Sequence, residues 1–262
     1  MVWRDKDASR ITPGGFFFCT TKAAVTAPQQ CGAVTAFSSS FNHVNGVGYN
    51  TADNTAGDPW QFIGASFEGV GTSSFISLNS LTSPDGIDDG DQIQIAHCDE
   101  NGTPFMKDYE YWDGDGWVDL ETSEPVGDEV GFELGHAAWF ISSSPKSITT
   151  AGQVKNVPHI HTFTEPWTIV CGAFPVDFCP NGQNISWGCL DGDQIQVAHC
   201  DENGTPYMKD YEYWDGDGWV DLETSETLDA DFALVAAGKG FWFITASPED
   251  SSFTEVSPLA NK

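Results

Sequence analysis

Positive charge is scarce in this chain: 10 Lys and Arg stand against 39 Asp and Glu, a formal net charge of -29 at pH 7. Such a surface repels phosphates and anionic headgroups, which excludes nucleic acid and anionic lipid as partners. No apolar run approaches the ~20 residues that a spanning helix needs, so membrane insertion is not expected. The opening MVWRDKDASR lacks the apolar stretch of a signal peptide, so a secreted form has already lost its signal or the sequence is part of a longer precursor. The seven cysteines form no CxxC pair of the zinc or thioredoxin kind. There is no nucleophile elbow, HExxH, P-loop or dinucleotide fingerprint, and no stretch carries a helical period. These gaps argue against an enzyme and against a helical fold.

What is present is a repeat. Residues 89–124 match residues 191–226 except at Ile95 against Val197 and Phe105 against Tyr207. Weaker likeness extends outward: Trp60 to Phe67 (WQFIGASF) parallels Trp167 to Phe174 (WTIVCGAF), and GHAAWFISSSP parallels GKGFWFITASP. Each copy therefore covers roughly a hundred residues, the size of a β-sandwich. We place the repeats at 58–156 and 157–262. Within a copy, DQIQIAH alternates polar with apolar and runs into Asp-Glu-Asn-Gly, a strand entering a turn. Tyr109, Tyr111 and Trp112 lead into Asp113-Gly114-Asp115-Gly116, and Trp117, Val118 and Leu120 lead out, a second hairpin. Ala138-Trp139-Phe140-Ile141 is a short apolar run closed by Ser and Pro, as a core strand should be. The expected fold is all-β, two tandem antiparallel β-sandwich domains preceded by a strand-bearing arm.

The arm, residues 1–34, echoes the last strands of a repeat: Gly15-Phe16-Phe17-Phe18 parallels Gly240-Phe241-Trp242-Phe243. The stretch from Val25 to Val34 resembles Ile148 to Val154. An isolated hairpin cannot bury three adjacent phenylalanines, and each one left exposed forgoes ~2 kcal/mol. Residues 35–57, rich in Ser, Asn, Gly and Thr, read as a polar linker that lets the arm reach a host. If that host is the next subunit, contact is head-to-tail and yields a homopolymer of this chain. The alternatives are an arm folded back on its own chain or the cut end of a further repeat.

Other residues carry candidate chemistry. Asp113, Asp115 and Asp119, with Asp215, Asp217 and Asp221, alternate as calcium ligands can, although the loop lacks the later bidentate Glu and flanking helices of a twelve-residue calcium site. A plain Asp-Gly turn is the simpler reading. His97-Cys98 and His199-Cys200 are soft-metal types, but adjacent strand residues point to opposite faces and do not readily share an ion. Disulfides are the better use of cysteine: Cys19 with Cys31 in one local loop, two of Cys171, Cys179 and Cys189 in another, and Cys98 or Cys200 between modules or subunits. Asn101, Asn184 and Asn203 stand in Asn-x-Ser/Thr sequons. Tyr109, Tyr111, Trp112 and Trp117 form either core or a sugar-stacking platform.

The succession DGDQIQ, GDGWVDL and AGKGFWF, preceded by WTIVCGAFP and followed by SPEDSSFTEVSPL, resembles tandem repeats in large secreted surface proteins of verrucomicrobial and lentisphaeral bacteria. The likeness spans both full copies and part of the arm. It implies β-sandwich modules of adhesive or structural role, and it brings no catalytic residues. The sequence thus points to a structural subunit of an extracellular fibre or surface layer, with carbohydrate binding as the alternative.

Overall fold

The computed structural model describes residues 46–53, 60–68, 75–101, 103–155, 157–200 and 205–257. The chain is all-β with antiparallel sheets, in two sheet groups that follow the two repeats. Repeat 1 contains β1 (Gly46–Asp53), β2 (Trp60–Gly64), β3 (Phe75–Ser77), β4 (Gln92–Cys98), β5 (Pro104–Trp112), β6 (Gly116–Asp119), β7 (Glu124–Pro125), β8 (Gly131–Glu133), β9 (Ala137–Ile141) and β10 (Ser147–Val154). Repeat 2 contains β11 (His159–Thr162), β12 (Trp167–Cys171), β13 (Ile185–Gly188), β14 (Gln194–Cys200), β15 (Pro206–Trp214), β16 (Gly218–Asp221), β17 (Glu226–Thr227), β18 (Gly240–Ile244) and β19 (Ser252–Glu255).

Each repeat is a lopsided sandwich. Its main layer is a six-stranded sheet, ordered β2-β9-β4-β5-β6-β7 in repeat 1 and β12-β18-β14-β15-β16-β17 in repeat 2. The second layer is smaller: ribbons β1-β10 and β3-β8 in repeat 1, and the sheet β11-β19-β13 in repeat 2. β1 corrects the domain boundaries, because residues 46–53, read as linker, pair in register with β10 from Gly46 opposite Val154 to Asp53 opposite Ser147. Repeat 1 thus begins before residue 58. The sequence of β1 (GVGYNTAD) has too few apolar side chains to announce a strand, and its register is supplied by β10. The arm, with Phe16, Phe17, Phe18, Val25 and Val34, lies outside the described residues.

The two hairpins of each main sheet form where the turn chemistry says they should. Gly114 and Gly116 hold φ of +94° and +80°, and Gly216 and Gly218 hold +91° and +81°, so the Asp-Gly-Asp-Gly turns use glycine at left-handed positions. Asp119 then accepts from the backbone N–H groups of Glu121 and Thr122 and pairs with Lys107 Nζ at 2.8 Å. Asp221 repeats this with Lys209 at 2.7 Å.

One face of each main sheet builds its own repeat's core. Ile63, Ile93, Tyr109, Trp117, Ala138 and Phe140 pack against Ile76, Leu78, Phe132 and Ile148. In repeat 2, Val170, Ile195, Tyr211, Trp219, Phe241 and Phe243 pack with Phe163, Phe178 and Phe253. Side chains alternate along a strand, so Phe62, Ala137 and Trp139 face the other way, as do Ile169, Cys171 and Trp242. These opposite faces meet each other in a common buried seam between the repeats.

A local twofold relates the two halves of the seam. Gly64 N–H donates to Gly238 O at 2.8 Å, and its counterpart Cys171 N–H donates to Gly135 O at 2.9 Å. A twofold axis brings equivalent positions face to face, and here the copies differ in complementary ways. Gly64 meets Cys171: a Cβ on Gly64 would lie 2.6 Å from both Cys171 Cβ and Sγ. Gly240 meets Ala137: a Cβ there would lie 2.5 Å from Ala137 Cβ, 3.0 Å from Val170 O and 3.2 Å from Phe62 Cβ. None of these atoms is the free end of a flexible chain, so Gly240→Ala should force the sheets apart and cost about 1–3 kcal/mol. A thermal melt checks this, and a midpoint unchanged from the native chain refutes the close contact.

Candidate functional site: the cleft and buried histidines between the repeats

The seam positions groups that neither repeat assembles alone. Beside it lies a cleft of about 250 Å³ whose walls come from both repeats. Repeat 1 contributes His97 from β4, Glu133 from β8 and His136 from the turn before β9. Repeat 2 contributes Thr162 at the end of β11, Thr164 and Glu165 from the loop that follows, and Thr168 from β12. Ile95, Phe132, Phe163 and Ile169 supply apolar wall. Burial holds the His97 and His136 rings below the ordinary imidazole range, and the Glu165 charge, acting on both, offsets this only in part. Glu165 also hydrogen-bonds Cys98, whose thiol is pushed upward, first by burial and then by that carboxylate. Cys98 is thereby kept from the thiolate a nucleophile requires.

Behind the cleft lies a buried histidine–glutamate network. His161 Nε2 sits 2.6 Å from Glu255 Oε1, which also accepts from Ala173 N–H at 2.8 Å. The His161 ring stacks on Phe253 at 3.9 Å and receives the edge of His159 at 4.5 Å. Lys155 Nζ donates to His159 Nδ1 at 3.1 Å. Burial, His161 and Lys155 together press His159 down to about 3. Both rings lie against Gly135, the turn that accepts the Cys171 hydrogen bond across the seam. Glycine is required there twice over, for its φ of +84° and because any Cβ would strike the His161 ring.

Burial disfavours charge on both partners of this network. His161 Nδ1 is buried without a partner, so an imidazolium would strand an N–H in the core. Burial accordingly drives His161 well below its ordinary value and raises Glu255 to about 7. One proton lies between His161 Nε2 and Glu255 Oε1, its donor set by the imidazole tautomer.

The residues singled out from sequence fare unequally. The calcium trios are not assembled: Asp119 and Asp221 are bound to Lys107 and Lys209, away from Asp113, Asp115, Asp215 and Asp217 in the turns. Among the described residues, no group of three His, Cys, Asp or Glu side chains is placed to hold a metal ion. Cys171, Cys179 and Cys189 stand as free thiols, so the second local disulfide is not formed; Cys171 lies in the seam and the other two flank β13. Cys98 is also free, and Cys200 ends β14. Cys19, Cys31 and Asn203 lie outside the described residues. Asn101 is exposed in its turn and Asn184 half-buried. The aromatic group divides: Tyr109 and Trp117 are core at 4% and 2% exposure, while Trp112 lies on the opposite face and donates to Glu110 at 2.8 Å. A single four-ring platform therefore does not exist.

Sequence reasoning passed over Glu133, His136, His159, His161, Glu165 and Glu255. The alternation His159-Ile160-His161 on a strand beside an apolar segment was the one local signal for a buried pair. No family model, no curated protein and no solved structure matches this chain.

The network makes a signed prediction. An unfolded carboxyl titrates near 4.3, and Glu255 in the fold titrates at about 7. Its favourable contribution is therefore complete at low pH and is lost as pH rises towards 7. His161 works in the opposite sense, contributing above its unfolded value near 6.5 and losing that as pH falls. Glu255→Gln keeps an Oε1 acceptor for Ala173 N–H and an amide that can pair with His161, and removes only the first dependence. Relative to the native chain the variant should gain stability between about pH 5 and pH 8, by up to roughly 3 kcal/mol. Denaturant unfolding at the two pH values reads this out, and a gain in the reverse direction refutes the neutral network.

Proposed function

We propose that this chain is a non-catalytic structural subunit of an extracellular fibre or surface layer, assembling with copies of itself head-to-tail through its N-terminal arm. The observation that carries the reading is the seam: two repeats joined by buried apolar faces and paired backbone hydrogen bonds form one stiff unit suited to transmitting load. Three features of the molecule support it. The far edges of both main sheets end in two-residue strands, Glu124–Pro125 and Glu226–Thr227, whose shortness, acidity and proline discourage pairing there. β1 pairs only with β10 among the described residues, which makes its second edge the candidate for strand addition. Phe105 and Tyr207 project at 47% and 46% exposure from equivalent hairpin ends, offering repeated apolar contact points.

The raised Cys98 thiol and the locked His161–Glu255 pair speak against catalysis, since neither is poised as a nucleophile or a mobile base. A second reading, binding of glycans, is favoured by the cleft between the repeats. Negative-stain electron microscopy and sedimentation of the full chain and of a form lacking residues 1–34 test the assembly. Polymers from the first and monomers from the second are expected, and monodisperse monomers from both overturn the proposal.

A further inference from the structure

The cleft has an electrostatic character that narrows what it can hold. Glu133 and Glu165 form no ion pair with Lys or Arg among the described residues, and no Lys or Arg lines the walls. His97 and His136 are neutral at pH 7 because burial disfavours their protonation, so they serve as hydrogen-bonding groups. His136 lines the cleft, and its ring makes no hydrogen bond among the described residues. Three threonines, Thr162, Thr164 and Thr168, add hydroxyls. Among the described residues the walls thus present two carboxylates without an ion-pair partner, two neutral imidazoles and three hydroxyls beside apolar side chains. An anion would be repelled. A metal ion has no convergent set of ligands.

The volume is also informative. At about 250 Å³ the space lies just below the usual range for drug-sized ligands and suits one small ring with its substituents.

The duplication sharpens the point. Positions equivalent to Glu133 and His136 in repeat 2 are Ala236 and Lys239. The counterpart surface has lost one carboxylate and gained a cation, so the chemistry is specific to one side of a nearly symmetric molecule. Glu165, from repeat 2, reaches His97 and His136 of repeat 1 electrostatically, so the site depends on the docked arrangement.

We propose that this cleft binds a small ligand carrying a primary ammonium and several hydroxyls, the chemistry of an amino sugar. Glu133 and Glu165 take the ammonium as charge-assisted acceptors. The threonines and the neutral histidines take the hydroxyls, and Ile95, Phe132 and Ile169 cover the apolar face of the ring. This deepens the glycan-binding reading of the same cleft and is independent of the fibre reading, because it rests on the cleft walls and not on assembly through the arm.

Isothermal titration of the full chain near pH 7 with four probes tests the assignment. Glucosamine should bind at least about tenfold more tightly than glucose, which lacks the ammonium, and than N-acetylglucosamine, whose amide is neutral. Glu165→Gln and Glu133→Gln should each weaken glucosamine at least about tenfold while leaving the melting temperature unchanged. Thr164→Val should weaken glucosamine but not putrescine, a diamine without hydroxyls. Equal affinity for glucosamine and glucose, no binding of glucosamine, or retention of binding in both glutamate variants overturns the proposal. Putrescine binding as tightly as glucosamine overturns the amino-sugar assignment.

Discussion

A sheet that is apolar on one face needs one covering layer, and a sheet that is apolar on both needs two. The main sheets of this protein belong to the second kind along their β2-β9-β4 and β12-β18-β14 halves, where every residue of a segment such as Ala137 to Phe140 finds an apolar surround. One face is met by the repeat's own smaller layer. The other has no partner inside the repeat, so the second copy becomes part of the first copy's core. Leaving Phe62, Ile169 and the half-buried Trp139 and Trp242 in water would forgo about 2 kcal/mol for each large side chain. That arithmetic, more than any linker, holds the two halves together.

The same constraint explains where the repeats differ. From Asp89 to Glu124 the two copies are nearly identical, and that stretch builds the hairpins of both main sheets. Side chains that meet partners within their own hairpin can be the same in both copies, as in the paired networks Gln92–Glu110–Trp112 and Gln194–Glu212–Trp214. At the local twofold the condition reverses. A residue there meets its own counterpart, and two cysteines or two bulkier groups would need room the sheets do not have. Glycine against Cys171 and Gly240 against Ala137 resolve the conflict by making one copy small where the other is larger. The seam is therefore heterotypic although the repeats are copies, which favours pairing of repeat 1 with repeat 2 over pairing of like with like.

Much of the fold could be read from the chain because its signals were local. Asp-Gly turns, alternation in DQIQIAH and the internal duplication each depend on neighbours within a few residues or on direct self-comparison. β1 escaped because Gly46 to Asp53 has no pattern of its own and is a strand only by virtue of β10 about a hundred residues on. Alternation of Asp113, Asp115 and Asp119 likewise hid a long-range partner: Lys107, on the neighbouring strand, pairs with Asp119 and leaves the other two in an Asp-Gly turn. The buried network was invisible because His161 and Glu255 are far apart in sequence and meet only through the pairing of β11 with β19. Residues that act across a repeat boundary carry no spacing rule at all, as Glu133 and Glu165 show.

Near-symmetry also bears on why a single cleft has chemistry that its counterpart lacks. A docking surface must keep shape on both sides of the axis, but charge is constrained only where groups meet. His136 and Lys239 occupy equivalent turns, each just before a seam strand. Lysine at the first position would add a cation where the charges of Glu133 and Glu165 both act. Histidine, pressed neutral by burial, leaves both carboxylates uncompensated while still offering a hydrogen bond. Within a chain of net charge -29, surface carboxylates are abundant and individually uninformative. Two of them whose charges act on one imidazole, in a cleft walled by both repeats, are a different matter, because a cation entering there meets both fields together.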